Sequence, residues 1–472
     1  MVLLVATTAG FLTTFMVTAV NIALPAIHAE WNISAVTLGW IPLAYMLTGA
    51  ALLMPAGRMA DFVGRKRFFG IGMAAFTVLS LAAALAPSAS VLIVLRLLQG
   101  AAVAMLFSCT VAMVTLAHPR ESRGKALGLQ VAGVYLGSTL GPVVGGVITQ
   151  NLGWRYIFVF VGAASALNCV LIASQLRGIE WREPKQAPFD VAGSLVWAVS
   201  LTALLIGFSR LPGLLGWVLV AVALLGIAGF FWWETRAADP VLNVDLIRGN
   251  RVFAYSNAAT FINYAATAAM TFLMSLYLQF NKGLSPDLAG LVLVSNAAVQ
   301  TLFSPVAGRL SDRVSPRYVA SAGMALCVLA LAAFIFLGGN THYWYIITVL
   351  CVLGVGFAFF STPIIHSIMG SVDQRFTGVA SATIATMRMT GQNISLGLAT
   401  LVLAVVVGSQ AIGPANVLTT VRITFAVFAG LCVLGVAASL VGPRRGEGTE
   451  VAAGGQPPGG AGDGAGATPP RH

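Results

Sequence analysis

The chain has 472 residues, 58% of them hydrophobic and 9% charged, with a formal net charge of +11. A mean hydropathy of +0.89 excludes an ordinary water-soluble globular protein. The Lys and Arg sit in short stretches between apolar runs, which excludes a nucleic-acid-binding face as the reason for the basic balance.

A bilayer's hydrocarbon core is about 30 Å thick, and roughly 20 apolar residues of helix cross it. Apolar runs of that order occupy 2–24, 38–56, 68–86, 90–116, 126–149, 155–174, 190–209, 211–233, 252–279, 288–307, 317–338, 343–368, 376–408 and 418–441, fourteen in all. A transmembrane barrel would show segments of about ten residues with alternating polarity. These longer runs predict an all-α polytopic membrane protein.

Span one ends in "NIALP", Asn21–Pro25. Its start lacks a basic stretch or a small-residue cleavage motif, so a cleaved leader is not expected. After span two comes "GRMADFVGRKR", residues 57–67, which concentrates Arg58, Asp61, Arg65, Lys66 and Arg67 between Gly57 and Gly64 and beyond. Asp61 is placed just past a helix end, where a carboxylate accepts charge-assisted hydrogen bonds from arginine and from a facing helix N-terminus. Span four carries "RLLQGAAVA", Arg96–Ala104, with Gln99 nearby. A charge at the depth of Arg96 costs several kcal/mol unless it meets a wet cavity or a partner. Span five sets Gly133, Gly137, Gly141 and Gly145 four apart on one face, with Pro142 expected to interrupt the helix.

Beyond span ten, "GRLSDRVSPR" at 308–317 repeats the earlier stretch, with Gly308, Arg309 and Asp312 answering Gly57, Arg58 and Asp61. Both stretches follow the second span of a six-span group, so the chain is expected to form a 6+2+6 arrangement with pseudo-twofold halves. The corresponding divisions are 1–174, 175–251 for an inserted pair with its linkers, and 252–441. Span thirteen holds Arg388 at a depth of roughly 18 Å. Residues 442–472 are mostly Gly, Pro and Ala and are expected to be a disordered cytoplasmic tail. Most of the 26 Lys and Arg follow even-numbered spans, which places both termini in the cytoplasm.

Polar side chains within spans mark a cavity between the halves. The candidates are Thr18 and Asn21 in span one, Arg96 and Gln99 in span four, Asn263 and Tyr264 in span nine, and Arg388 and Gln392 in span thirteen. Thr14, Asn257 and Asn393 accompany them, with Phe11, Phe15, Tyr45, Phe303 and Phe359 as apolar lining. His366 is placed at the cytoplasmic end of span twelve. Cys109, Cys169, Cys327, Cys351 and Cys432 fall in spans without metal-ligand spacing, so no metal is expected. No Walker loop, HExxH or GxSxG element occurs, so neither catalytic residues nor a cofactor is expected.

Taken together, "NIALP", "GRMADFVGRKR", "RLLQGAAVA" and "GVYLGSTLGPVVGG" (Gly133–Gly146) resemble the major facilitator superfamily, and within it the fourteen-helix drug:proton antiporter family. The resemblance covers nearly the whole chain up to the tail. It implies that Gly57, Arg58, Asp61, Gly64 and Arg65, with Asp312 in the second half, latch the halves together in the outward-facing state. It implies that the glycine face with Pro142 helps seal one side and biases transport toward export. One position departs from the family: Met16 stands where its helix-one Asp belongs, and no carboxylate is expected in the membrane core. The implied activity is proton-coupled export of amphipathic small molecules by alternating access, from a monomer in the cell membrane. Without a core carboxylate, neutral or anionic substrates are favoured over cations. An uncoupled or lipid-translocating carrier, and a transporter-like sensor or scaffold, stay open as alternatives.

Overall fold

Backbone polar groups find no water in a bilayer core, so apolar runs of this length fold as helices. The computed structural model describes residues 1–176, 178, 180–181, 190–237, 244–372, 377–408 and 411–440, and its elements are all helical. The expected tail lies outside the described residues. In chain order the helices are α1 (Val2–Trp31), α2 (Ala35–Ala51), α3 (Leu53–Val63), α4 (Arg65–Ala84), α5 (Ala89–Ala117), α6 (Arg120–Asn151), α7 (Arg155–Gln175), α8 (Val191–Arg210) and α9 (Leu214–Glu234). They continue with α10 (Val244–Gly249), α11 (Arg251–Thr267), α12 (Met270–Leu276), α13 (Pro286–Arg313), α14 (Pro316–Phe334), α15 (Tyr343–Gly370), α16 (Thr377–Val407) and α17 (Pro414–Leu440).

Span two is bent by 58° between α2 and the helix that follows, and counting that pair once gives fourteen spans among the described residues. Span nine is Arg251–Asn281, in which α11 and α12 are separated by Ala268 and Ala269 and a π-helical turn closes the span at Tyr277–Asn281. Two local expectations are corrected. Asp61 lies inside α3 rather than beyond a helix end, because the chain turns only at Gly64, whose φ of 102° suits a residue without a side chain. Pro142 does not interrupt span five: α6 runs on through it, as buried transmembrane helices tolerate when neighbours take up the freed backbone group.

Helix partnerships repeat across the chain. In the first part α1 packs on α6 and α7, α2 on α5, and α4 on α5 and α7. In the later part α11 packs on α16 and α17, α13 on α15, and α14 on α15 and α17, the same set of pairings eight spans on. α8 and α9 pair with each other, and α8 leans on α16 and α2. Close backbone approach in these pairs depends on glycine. A Cβ at Gly133 would meet Thr7, at Gly137 the Phe11 carbonyl, and at Gly141 Thr18, while at Gly145 it would come within 2.6 Å of the Ala19 Cβ. The four-residue spacing therefore lays one whole face of α6 against α1.

The two sets of helices meet at the end opposite the start of α1, here called the far end. There a Cβ at Gly146 would strike Pro286 at the start of α13, one at Gly290 would strike the Pro142 carbonyl, and one at Gly39 would strike Thr400 of α16. The near end is parted. Gly128 shares the α6 face of Pro142 but sits 14 residues earlier, about 21 Å along the axis, and has nothing within 4 Å of a Cβ placed there.

This packing makes a prediction for stability. Gly137→Val should force α1 from α6 at a cost of about 1–3 kcal/mol, read as a lowered melting temperature of the purified protein. Gly124→Ala, where a Cβ meets open space, should leave the melt within about 0.5 kcal/mol of the parent.

Candidate transport cavity

Where the two sets of helices part, they leave a cavity of about 250 Å³, just below the roughly 300 Å³ at which small-molecule pockets begin. α1 contributes Thr14, Thr18 and Asn21; α6 contributes Tyr135, Ser138 and Thr139; α13 contributes Asn296 and Gln300; α16 contributes Arg388, Gln392 and Asn393. The break between α11 and α12 opens onto it, with Tyr264, Thr267, Met270 and Thr271 in the wall. Tyr45, Phe107 and Phe357 supply aromatic surface.

Arg388 is the sole charged side chain of that wall, which holds no carboxylate among the described residues. Tyr264 shares the wall with it, and the Tyr264 ring meets Phe357 edge-on at 5.3 Å. A guanidinium half-buried in a span is tolerated because it borders a polar cavity. The field in the cavity is therefore positive, and an anionic group placed beside Arg388 gains a charge-assisted contact.

Thr18, Asn21, Tyr264, Arg388 and Gln392 are thus brought together, and Pro142 joins the same wall. Arg96, Gln99 and Asn263 stand outside it. Arg96 is fully buried: its Nε donates to the Ile41 carbonyl at 3.2 Å, its Nη1 to Gln99 Oε1 at 3.2 Å, and its guanidinium lies 4.1 Å from the centre of the Tyr45 ring. Gln99 passes the chain on to Ser80 Oγ at 3.1 Å, while the Tyr45 hydroxyl donates to the Thr13 carbonyl at 3.0 Å. Arg96 therefore braces α2, α4 and α5 one layer behind the cavity, and of this group Tyr45 and Thr13 reach the wall. Asn263 turns instead toward α14, with its Nδ2 at 3.2 Å from Met324 Sδ.

Of the aromatic candidates, Phe11, Phe15, Phe303 and Phe359 pack away from the cavity. Phe11 stacks on Phe15 at 5.8 Å, Phe15 meets Phe160 at 5.4 Å, and Phe303 meets Phe359 at 6.5 Å. Asn257 is also turned aside, donating to the Phe253 carbonyl of its own helix. Met16 is fully buried and is not part of the wall. An acid introduced there would face protein rather than the cavity wall. His366 is exposed. Sequence reasoning missed Tyr135, Ser138, Thr139, Asn296 and Gln300. The available signal was polar residues three or four apart, Tyr135 with Ser138 and Asn296 with Gln300, on otherwise apolar spans.

At the near end Asp61 Oδ1 pairs with Arg65 Nη2 at 2.9 Å, an i,i+4 contact across Gly64. Gly57 and Arg58 sit on α3 one turn earlier. The start of α4 is capped from far along the chain: Glu180 accepts from the Lys66 amide at 3.0 Å and the Arg67 amide at 3.3 Å, and the Arg65 amide donates to the Trp181 carbonyl. No sequence pattern announces a partner more than a hundred residues away. The Asp312 side chain lies outside the described residues.

Comparison with known proteins agrees with this architecture. The sequence profile of the Major Facilitator Superfamily matches residues 6–190 and 257–466. The multidrug resistance protein Stp of Mycobacterium tuberculosis is 30% identical over 392 residues, 82% of this chain and 72% of that protein. A methylenomycin A resistance protein of Streptomyces coelicolor is 31% identical over 400 residues, 82% of each chain, and the riboflavin transporter RibZ of Clostridioides difficile is 28% identical over 390 residues, 83% of this chain and 84% of that one. Among solved structures, a bacterial homologue of the human lysosomal transporter Spinster superposes with a TM-score of 0.68 at 17% identity, covering 93% of this chain and 96% of that one. With that profile matching most of its length and transporters among its relatives, this chain belongs to the Major Facilitator Superfamily as a multi-pass membrane transporter rather than an enzyme.

Proposed function

We propose that the protein exports amphipathic small molecules, neutral or anionic, by alternating access. The observation that carries this reading is the cavity wall, built from helices of both parts, closed at the far end and holding one positive charge with no carboxylate. The repeated helix pairings support a division into bundles at 1–174 and 252–441 with α8 and α9 inserted between them. The Lys and Arg distribution favours a cytoplasmic near end, so the cavity opens inward and loads from the cell interior. Relatives whose names denote resistance to many drugs and to methylenomycin A favour export.

The energetics favour the same substrates. A monoanion leaving a negative-inside cell gains about 2.3 kcal/mol per 100 mV, whereas a monocation loses as much. Proton exchange, implied by the family resemblance, finds no carboxylate in the wall to carry it. Membrane potential alone therefore suffices to drive an anion outward. In this inward-open state Asp61 is held by Arg65, and both become available to grip the opposite bundle as the near end closes. One chain completes the cavity, so a monomer suffices.

Flux in proteoliposomes tests the reading. An anionic amphiphile should move under an imposed potential, and Arg388→Gln should weaken its apparent affinity about tenfold, the value of a hydrogen bond to a charged group. Strong efflux of a permanently cationic dye driven by a pH gradient would contradict it. Asp61→Asn should insert normally yet transport about tenfold more slowly, since it removes a charged contact without touching the cavity; unchanged flux would remove Asp61 from the latch.

A further inference from the structure

The far-end seal contains a contact that ordinary helix packing does not call for. Pro25 lies inside α1 and has no N–H, so the carbonyl of Asn21, four residues earlier, has no donor within its own helix. Ser275 of α12 supplies one from the opposite set of helices: its Oγ donates to the Asn21 carbonyl at 2.8 Å, and Ser275 is fully buried. Gln279, in the π-helical turn, donates to the Ile22 carbonyl at 3.0 Å and to Ser275 Oγ at 3.0 Å. Both protons of one amide and the proton of one hydroxyl are thereby committed to this crossing.

A buried hydroxyl in a helix usually bonds back to its own carbonyls. Thr260 and Thr267 on the same span do so, each at 2.8 Å. Ser275 reaches across to α1 instead. The segment that carries it has a joint at each end. At its start the Ala269 amide leaves the helical ladder and donates to Ser395 Oγ of α16 at 3.0 Å, and at its finish the chain widens into the π-helical turn. Met270 and Thr271 on the segment, and Asn21 on its partner, line the cavity.

We infer that Ser275 and Gln279 are positioning residues of the transport cycle, holding the far end shut through the carbonyl that Pro25 leaves free. When the far end opens, the Ser275 hydroxyl returns to the Thr271 carbonyl of its own helix and water takes the Asn21 carbonyl. The Ser275 donor is thus used in both arrangements, and cargo beside Met270 and Thr271 touches the moving part. The inference rests on alternating access as proposed above, but not on the identity or charge of the cargo.

Spin labels at Leu152→Cys and Asn340→Cys, exposed positions in the far-end loops of the two parts, report the gate directly in the full-length protein in proteoliposomes, with the native cysteines replaced. Ser275→Ala should raise the long-distance, far-end-open population about 2- to 10-fold, the worth of one neutral hydrogen bond, and Gln279→Ala should shift it the same way. Pro25→Ala restores the missing N–H, so in that background Ser275→Ala should change the population by less than about twofold. No shift in either single variant, or an undiminished Ser275→Ala effect beside Pro25→Ala, would overturn the inference. Because the readout is a distance, a protein that moves no tested compound would fail the flux test and leave this one standing.

Discussion

The close approach of α1 and α6 is the contact on which the rest of the structure depends. Four glycines at four-residue intervals let the two backbones touch along much of their length, and lipid offers no hydrophobic drive that could substitute for such packing. That contact brings Thr18 and Asn21 beside Tyr135, Ser138 and Thr139, so that two helices supply one continuous side of the cavity wall. It also sets the orientation of α6, so that Pro142 and Gly146 meet α13 at the far end while Gly128 faces open space at the near end. The shape of the cavity thus follows from which positions of one helix lack a side chain.

Two arginines within spans illustrate how burial decides role. Arg96 is enclosed by a carbonyl, an amide and an aromatic ring, and its charge is spent on holding three helices together. Arg388 lies in the cavity wall beside Tyr264. A charge walled in by protein is out of a ligand's reach, whereas one that borders a cavity can exchange water for an anion. On the proposed reading, contact with an anionic cargo falls to α16, while Arg96 on α5 holds α2 in place.

Much of this was legible in the sequence, and the remainder failed for identifiable reasons. Span number, the helical class and the glycine face follow from length and spacing, quantities that the bilayer and the helix repeat fix. Depth along a span is likewise readable, which is how Arg96 and Arg388 were singled out. Rotation about the helix axis is not: Asn263 and Tyr264 are neighbours in sequence, yet one turns to Met324 and the other to the cavity. Met16 and Thr18 show the same divergence on α1. The Glu180 cap on α4 and the Ser275 contact to α1 join residues far apart in the chain, and single-sequence patterns carry no term for such pairs.

The central claim is that the cavity presents one positive charge to an anionic or neutral cargo. A structure of the protein in a lipid nanodisc with an anionic amphiphile bound tests it most directly. The account predicts the acidic group within hydrogen-bond reach of Arg388 and the apolar portion against Tyr45, Phe107 and Phe357. An amphiphile seated elsewhere in the cavity, with its acidic group away from Arg388, would contradict it.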